Sequence, residues 1–329
     1  MADRFIYQPP CTITPTILRL VAEISEVIGR LSAQADTAKA LHLRRINRIR
    51  TIQGSLAIEG NTLSEAQITA ILDGKRVIAP PREIREARNA ITAYDRFEQW
   101  RPDSAADLLE VHRILMAGLL DEAGIFRRGG VGVMAGDQII HMAPPADRIP
   151  ALMDNLFRWL AVSEEHPLIT SSVFHYEFEF IHPFADGNGR MGRLWQTLIL
   201  SGWNPLFADI PVESLIHEHQ QEYYAAINQS TEEADSSVFI EFMLKMISGA
   251  ITPQVTPQVA RLLEVIVGDM SRKEIQSALA LQDRKSFRVR YLAPALTEGL
   301  IEMTVPDKPN SRLQKYRLTD AGRRQAAEV

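Results

Sequence analysis

Apolar residues recur at helical spacing along most of the chain. Residues 17–32 place them three and four apart, and residues 38–58 repeat the pattern. Thr62-Leu63-Ser64-Glu65-Ala66-Gln67 reads as a helix start, with Ser64 as N-cap and Gln67 three residues on to close a capping box. Pro80-Pro81 stops that unit. Further amphipathic helices are predicted over residues 83–100, 105–119, 149–160 and 168–180. One segment departs from the pattern. The short apolar runs Gly132-Val133-Met134 and Gln138-Ile139-Ile140-His141 flank Ala135-Gly136-Asp137, which predicts a β-hairpin with a glycine-containing turn. A lone hairpin is marginal in water, so this one needs the helical body or a bound strand against it.

After Leu244 the character changes. Thr252-Pro253-Gln254-Val255 is followed by Thr256-Pro257-Gln258-Val259, a four-residue repeat with two prolines that reads as a linker. Beyond it come a helix over 260–267 and a second opened by the capping box Ser271…Glu274. A third runs over 284–298 to Gly299, kinked or split by Pro294. Leu300-Ile301-Glu302-Met303 and Lys315-Tyr316-Arg317-Leu318 read as strands around a polar turn. Three helices followed by a hairpin is a winged helix-turn-helix pattern. The expected organisation is an N-terminal helical region (1–104), a core domain (105–248), a linker (249–259) and a small winged domain (260–329).

Composition adds bounds. The 329 residues are 46% hydrophobic and 23% charged, enough for normal packed cores in two or three domains. A single cysteine, Cys11, excludes a disulfide framework and a multi-cysteine zinc site. There is no apolar run of about 18 residues and no apolar stretch behind a basic start, so neither a membrane span nor a signal peptide is expected. The cytoplasm is the expected compartment. The net charge of −5 is uneven: residues 255–329 hold 13 Lys+Arg against 9 Asp+Glu, which is +4, and the remainder carries −9. A mildly basic tail is not by itself a nucleic-acid signature.

The candidate chemistry lies in His182-Pro183-Phe184-Ala185-Asp186-Gly187-Asn188-Gly189-Arg190-Met191-Gly192-Arg193. Asp186-Gly187-Asn188-Gly189 is a tight polar loop whose glycines let backbone N–H groups approach an anion. Helical spacing resumes at Asn188, so those groups stand at a helix N-terminus, a favourable place for phosphate. Arg190 and Arg193 share a face and can clamp phosphate oxygens. Asp186 is a hard oxygen ligand suited to a nucleotide's Mg²⁺. His182 titrates near neutral pH, as a general base should. Each residue alone has a blander reading: a core histidine, a turn, a solvated face. Eight fixed positions at roughly 5% usage make a chance match on the order of one in 10⁷ or rarer, which reverses those odds.

This segment resembles the motif of the Fic family, His-x-Phe-x-Asp/Glu-Gly-Asn-Gly-Arg-x-x-Arg, at every fixed position. The resemblance covers residues 105–228 well and the N-terminal helices more loosely. It implies a mainly α fold: a Fic-type helical bundle with a β-hairpin flap, followed here by the winged helix-turn-helix domain. It also implies roles. His182 would deprotonate a target hydroxyl, Phe184 anchor the loop, and Asp186 hold Mg²⁺ between the α- and β-phosphates of ATP. Gly187, Asn188 and Gly189 would form the anion hole, and Arg190 and Arg193 would hold the outer phosphates. Attack on the α-phosphorus would then leave AMP on a Ser, Thr or Tyr of the target or of the enzyme itself. The flap, with Val133, Met134, Ile139, Ile140 and His141, would take the target segment by strand addition. Ser55-Leu56-Ala57-Ile58-Glu59-Gly60 is similar to the family's inhibitory motif, in which Glu59 would pair with Arg193 in the γ-phosphate position and Ser55 would help fix the helix. Tyr224 falls where the family packs an aromatic near adenine.

Other readings stay open at this point. The winged domain, with Arg284, Lys285, Arg288 and Arg290, suits either DNA or protein contacts. The chain could be a nucleotide-sensing, DNA-binding transcriptional regulator, or could remove AMP through the same site. A homodimer is possible. A Walker-type phosphate loop is excluded, because Gly74-Lys75 is followed by Arg76 without the preceding glycine. His217, Glu218 and His219 match no zinc spacing, and His112 and His175 read as core residues.

Overall fold

The computed structural model describes residues 7–33, 37–135, 138–251, 257–297, 299–306 and 311–328. The chain divides into two compact units, Met1–Thr252 and Pro253–Val329. The first contains helices α1 (Pro15–Ala33), α2 (Thr37–Ile58), α3 (Glu65–Leu72), α4 (Pro81–Asp95) and α5 (Ala105–Leu115). Strands β1 (Gly132–Ala135) and β2 (Gln138–Met142) follow, then α6 (Ile149–Val162), α7 (Pro167–Ile181), α8 (Asn188–Trp203), α9 (Val212–Glu218), α10 (Gln220–Glu233) and α11 (Ser237–Ile251).

Helix α7 is the axis of this unit. It is buried along almost its whole length and lies against α6, α8 and α11. Its buried hydroxyls do not go unpaired, since Ser171 and Ser172 donate back to the Leu168 carbonyl at 3.3 and 2.9 Å. Two glycines set the close helix contacts. A Cβ at Gly192 of α8 would come within 2.7 Å of His175 on α7, and one at Gly54 of α2 would come within 2.7 Å of the Glu213 backbone on α9. Because α2 seats on α9 this closely, its C-terminal end reaches the N-terminus of α8.

The Ser64–Gln67 capping box forms as the pattern predicts. Pro81 opens α4 at its first position as well as following a stop, because a proline lacks only an N–H that a first turn leaves unused. α4 ends at Asp95 and gives way to a 3₁₀ turn, Phe97–Gln99. No domain boundary lies near residue 104: one hydrophobic cluster runs from Ile17 to Ile251, with α1 packed on α11 and α2 on α4 and α9. β1 and β2 pair antiparallel, Gly132 with Met142 and Ala135 with Gln138, with a register shift between Val133 and Met134. The expected turn residues 136–137 lie outside the described residues.

The second unit contains α12 (Pro257–Val265), β3 (Met270–Ser271), α13 (Arg272–Ala278), α14 (Arg284–Phe287), α15 (Ala293–Thr297), β4 (Ile301–Met303), β5 (Lys315–Leu318) and α16 (Asp320–Glu328). Its antiparallel sheet has the order β3-β5-β4, over a core that includes Leu262, Ile275, Phe287 and Tyr316. Strand β3 and helix α16 go beyond the expected three helices and hairpin. The linker is shorter than 249–259, because α11 runs to Ile251 and Pro257 opens α12; residues 252–256 lie outside the described residues, as do residues 307–310 of the polar turn. Between α14 and α15 the helix widens into a π turn, Arg288–Leu292, where the Ala293 N–H reaches back to the Arg288 carbonyl. Pro294, one residue on, has no N–H to continue the regular ladder. No described helix is long and apolar enough to cross a membrane.

Candidate active site

The loop from His182 to Gly187 joins α7 to α8. His182 leaves α7 in the left-handed region (φ 49°, ψ 62°), uncommon for a residue with a side chain. Its carbonyl accepts a hydrogen bond from Arg127 Nε at 2.7 Å. Phe184 is fully buried and stacks on His112, with ring centroids 3.6 Å apart and planes 5° from parallel. The Asn188 amide ties the turn from both sides, accepting from the Phe184 N–H and donating to the Phe184 carbonyl, each at 2.9 Å. This side chain therefore shapes the loop and leaves only the backbone N–H of Asn188 without a partner there.

His112 does more than fill the core. Its Nδ1 accepts the Gly124 N–H at 2.8 Å, so Nε2 carries the proton and donates to the Asp186 carbonyl at 2.9 Å. Burial pushes its pKa down to about 4, which keeps this tautomer neutral. Gly187 has φ +86°, and a Cβ there would press on Met116 Sδ at 2.8 Å. The loop is thus folded by side chains that take no part in its exposed surface.

The first turn of α8 leaves the N–H groups of Asn188, Gly189 and Arg190 without intrahelical partners. The Gly187 N–H is already donated to Asp186 Oδ1 at 2.6 Å. Glu59, at the end of α2, rests directly on Gly189, where a Cβ would collide with its Oε1. Arg193 is buried and reaches the same carboxylate: its NH2 donates to Glu59 Oε1 at 2.7 Å and to the Ser55 carbonyl at 3.0 Å, and its Nε to Ser55 Oγ at 3.3 Å. Gly60, at φ +86°, ends α2, and the Asn61 N–H caps the Leu56 carbonyl at 3.1 Å.

Asp186 is more open. Its Oδ1 lies 3.3 Å from Arg190 NH2 and its Oδ2 3.4 Å from Arg82 NH2. Arg190 is buried and also lies 3.8 Å from Glu86. No group of three metal-ligating side chains exists among the described residues. One partly exposed carboxylate beside the open N–H groups of a helix start fits Mg²⁺, which dehydrates reluctantly and takes few protein ligands when phosphates supply the rest.

Burial pushes the His182 imidazole below its ordinary pKa, and Glu179 partly offsets this, with Oε2 4.0 Å from Nδ1. Glu179 is itself buried, 3.7 Å from His175 Nε2. Burial works against its charge, but His175, His182 and Arg193 hold its pKa below the usual carboxylate range. Tyr224 is half-buried on α10 beside Tyr223, with ring centroids 5.4 Å apart; burial first, then the field of Glu59, raises its hydroxyl pKa. Gln220 Nε2 donates to the Ile58 carbonyl at 2.6 Å and docks α10 on the end of α2.

The fold therefore gathers His182, Asp186 to Arg193, Ser55, Glu59 and Tyr224 around one loop. Val133, Met134, Ile139, Ile140 and His141 are carried on the hairpin, whose second strand runs beside α10; their side chains lie outside the described residues. His219 forms an exposed pair with Glu222 at 3.1 Å. Sequence reading missed Glu179, Arg127 and the second role of His112. For Glu179 a signal existed, a charge three residues before His182 on a helix buried along almost its whole length.

Residues 102–200 match the family model described as the Fic/DOC family, and residues 257–319 that of the Fic-like C-terminal domain. A protein adenylyltransferase Fic from Culex quinquefasciatus is 31% identical over 275 residues, which cover 74% of this chain and 52% of the relative. The chain spans about half the length of the curated relatives it matches. A Fic family protein from Desulfovibrio desulfuricans G20, known as a crystal structure, is 53% identical, with 95% of this chain and 99% of that one covered and a TM-score of 0.71. A solved Fic protein of C. elegans shares the fold, at 24% identity over 71% of this chain and 70% of that one, with a TM-score of 0.60.

Proposed function

Because the chain belongs to the Fic family, we propose that it is a protein adenylyltransferase that moves AMP from ATP onto a Ser, Thr or Tyr hydroxyl of a target or of itself, restrained by Glu59. The observation that carries this reading is the meeting of His182, Asp186 and the unsatisfied first turn of α8 on one loop. The phosphates of ATP sit on the N–H groups of Asn188, Gly189 and Arg190, with the guanidiniums of Arg190 and Arg193 on the outer phosphates. His182, kept neutral at physiological pH by burial, takes the proton of the target hydroxyl. The hydroxyl oxygen bonds to the α-phosphorus as the bond to the bridging oxygen breaks and pyrophosphate leaves. Asp186 would hold Mg²⁺, which supplies positive charge to the phosphates. The target segment adds as a strand to the hairpin, through backbone hydrogen bonds that tolerate many sequences.

In the restrained state an anion already stands at this cradle. The Glu59 carboxylate lies on Gly189 and binds Arg193, so the γ-phosphate has neither its space nor its guanidinium, and ATP binds out of line for transfer. The test uses the Glu59→Gly protein with ATP labelled at the α-phosphate, Mg²⁺ and a cell lysate, and a Glu59→Gly, His182→Ala protein as control. Labelled protein that disappears in the control is the expected result. No label in either protein, with ATP still bound, would move the core to a sensing role.

For the second unit the supported partner is duplex DNA. Arg284, Lys285, Arg288 and Arg290 are exposed around the start of its third helix and take part in no ion pair among the described residues. Arg272, Lys273 and Arg312, with Ser271 and Ser311, line an open pocket of about 330 Å³ in the same unit. Unpaired cations on a helix and beside a strand suit phosphodiester contacts. Anisotropy of a labelled duplex should show binding that weakens steeply with salt and is lost in Arg284→Glu, Arg288→Glu. No binding at about 50 mM salt, where phosphate contacts are strongest, removes the reading.

A further inference from the structure

Arg127 is buried, 4% exposed, and no carboxylate pairs with it among the described residues. Its guanidinium instead binds four backbone carbonyls. Nε donates to His182 at 2.7 Å, NH1 to Gly129 at 2.7 Å, and NH2 to Pro144 at 2.6 Å and to Ile181 at 3.4 Å. Its own N–H donates to the Pro183 carbonyl at 2.9 Å. The carbonyls of Ile181 and His182 belong to the end of α7, where unsatisfied acceptors concentrate negative charge. Those of Gly129 and Pro144 lie just before β1 and just after β2. One rigid fork therefore spans both feet of the hairpin and the backbone of His182.

From this geometry we infer that Arg127 is a positioning residue that fixes the distance between the target-docking hairpin and His182. The inference rests on the adenylyltransferase reading. Strand addition reads backbone, so the side chains of the target do little to place its hydroxyl. The register of that hydroxyl against His182 must come from where the hairpin itself is held. A misplacement of about 1 Å at a reacting pair costs on the order of 10²-fold in rate. Lysine carries the same charge, but its ammonium is compact and its stem flexible, so it cannot bridge four fixed carbonyls as a planar fork does.

The test compares Arg127→Met and Arg127→Lys in the Glu59→Gly protein. AMP transfer to protein should fall on the order of 10²-fold with Met and about tenfold with Lys. ATP affinity should stay within about threefold, and AMP release by water, an acceptor the hairpin does not dock, should fall less than transfer does. Hydrogen exchange should quicken together in peptides spanning 128–145 and 181–186, and not in α8. Transfer within about threefold of the parent in both variants would overturn the inference, as would an equal loss of transfer, water attack and ATP affinity. If the Met variant does not fold, the Lys variant decides. If the Glu59→Gly parent transfers no AMP, the functional reading fails separately. The exchange data then decide the coupling, which a change confined to one of the two segments would refute.

Discussion

The two ends of the anion cradle hold the same kind of pair in opposite surroundings. At one end Arg193 and Glu59 meet at 2.7 Å, with side chains 1% and 33% exposed. At the other, Arg82 and Asp186 lie 3.4 Å apart, with side chains 62% and 43% exposed. A surface pair is worth roughly 0–1 kcal/mol. Removing the carboxylate of a half-exposed pair strands a buried guanidinium, which costs more than breaking a surface pair but less than the about 3–5 kcal/mol of a fully buried one. The end whose arginine is buried can therefore favour one state, while the wet end, whose arginine is exposed, can exchange a guanidinium for a cation at little cost.

The sharpest test of that contrast is Glu59→Gly. A latch worth about 2–3 kcal/mol leaves roughly one molecule in a hundred open, so its removal should raise the initial rate of AMP transfer by about 30–150-fold. Equal rates in mutant and parent would break the comparison outright. Next comes Glu213, which lines a small cavity with Arg193 and Thr197. Burial pushes its pKa up to about 7. Its neutral form is favoured in the folded state, so that contribution is complete below the ordinary carboxylate pKa and is lost as pH rises through about 7. The loss amounts to ~3 kcal/mol. Urea unfolding of Glu213→Gln between pH 5 and 8 should show a correspondingly flatter stability profile than the parent.

Gly189→Ala probes the contact itself, since its Cβ would displace the Glu59 carboxylate. A double-mutant cycle with Glu59→Gly should give a coupling of about 1–2 kcal/mol in unfolding free energy. A coupling near zero would mean that Glu59 does not rest on Gly189 in solution. The smallest effect belongs to the wet end: Arg82→Ala should change stability by less than about 1 kcal/mol. A larger loss, seen in the same urea titration, would make the two ends alike.

Local features were legible in the chain. The Ser64–Gln67 box needs only two residues three apart, and the hairpin shows in its alternation with a glycine between the runs. The cradle was legible because its glycines, amides and arginines are contiguous. What stayed hidden joins distant positions. Arg127 meets His182 across 55 residues, and His112 meets Asp186 across 74. Nothing in local periodicity marks a buried guanidinium that binds carbonyls. Strand β3 is two residues long, too short to carry a pattern, and exists because β5 pairs with it. The boundary expected near residue 104 failed for a similar reason, since α1 completes a core whose other wall, α11, lies more than 200 residues away.

Gly54 gives the contact between α2 and α9 a genetic meaning. Its Cα faces the Glu213 backbone with no room for a methyl group, and backbone cannot swing aside as a side chain can. An allele that places another residue at 54 should push α2 and α9 apart, and Glu59 rides on the end of α2. On the proposed restraint by Glu59, the lineage would then carry a less restrained form whose catalytic loop reads as wild type, five residues from the glutamate concerned.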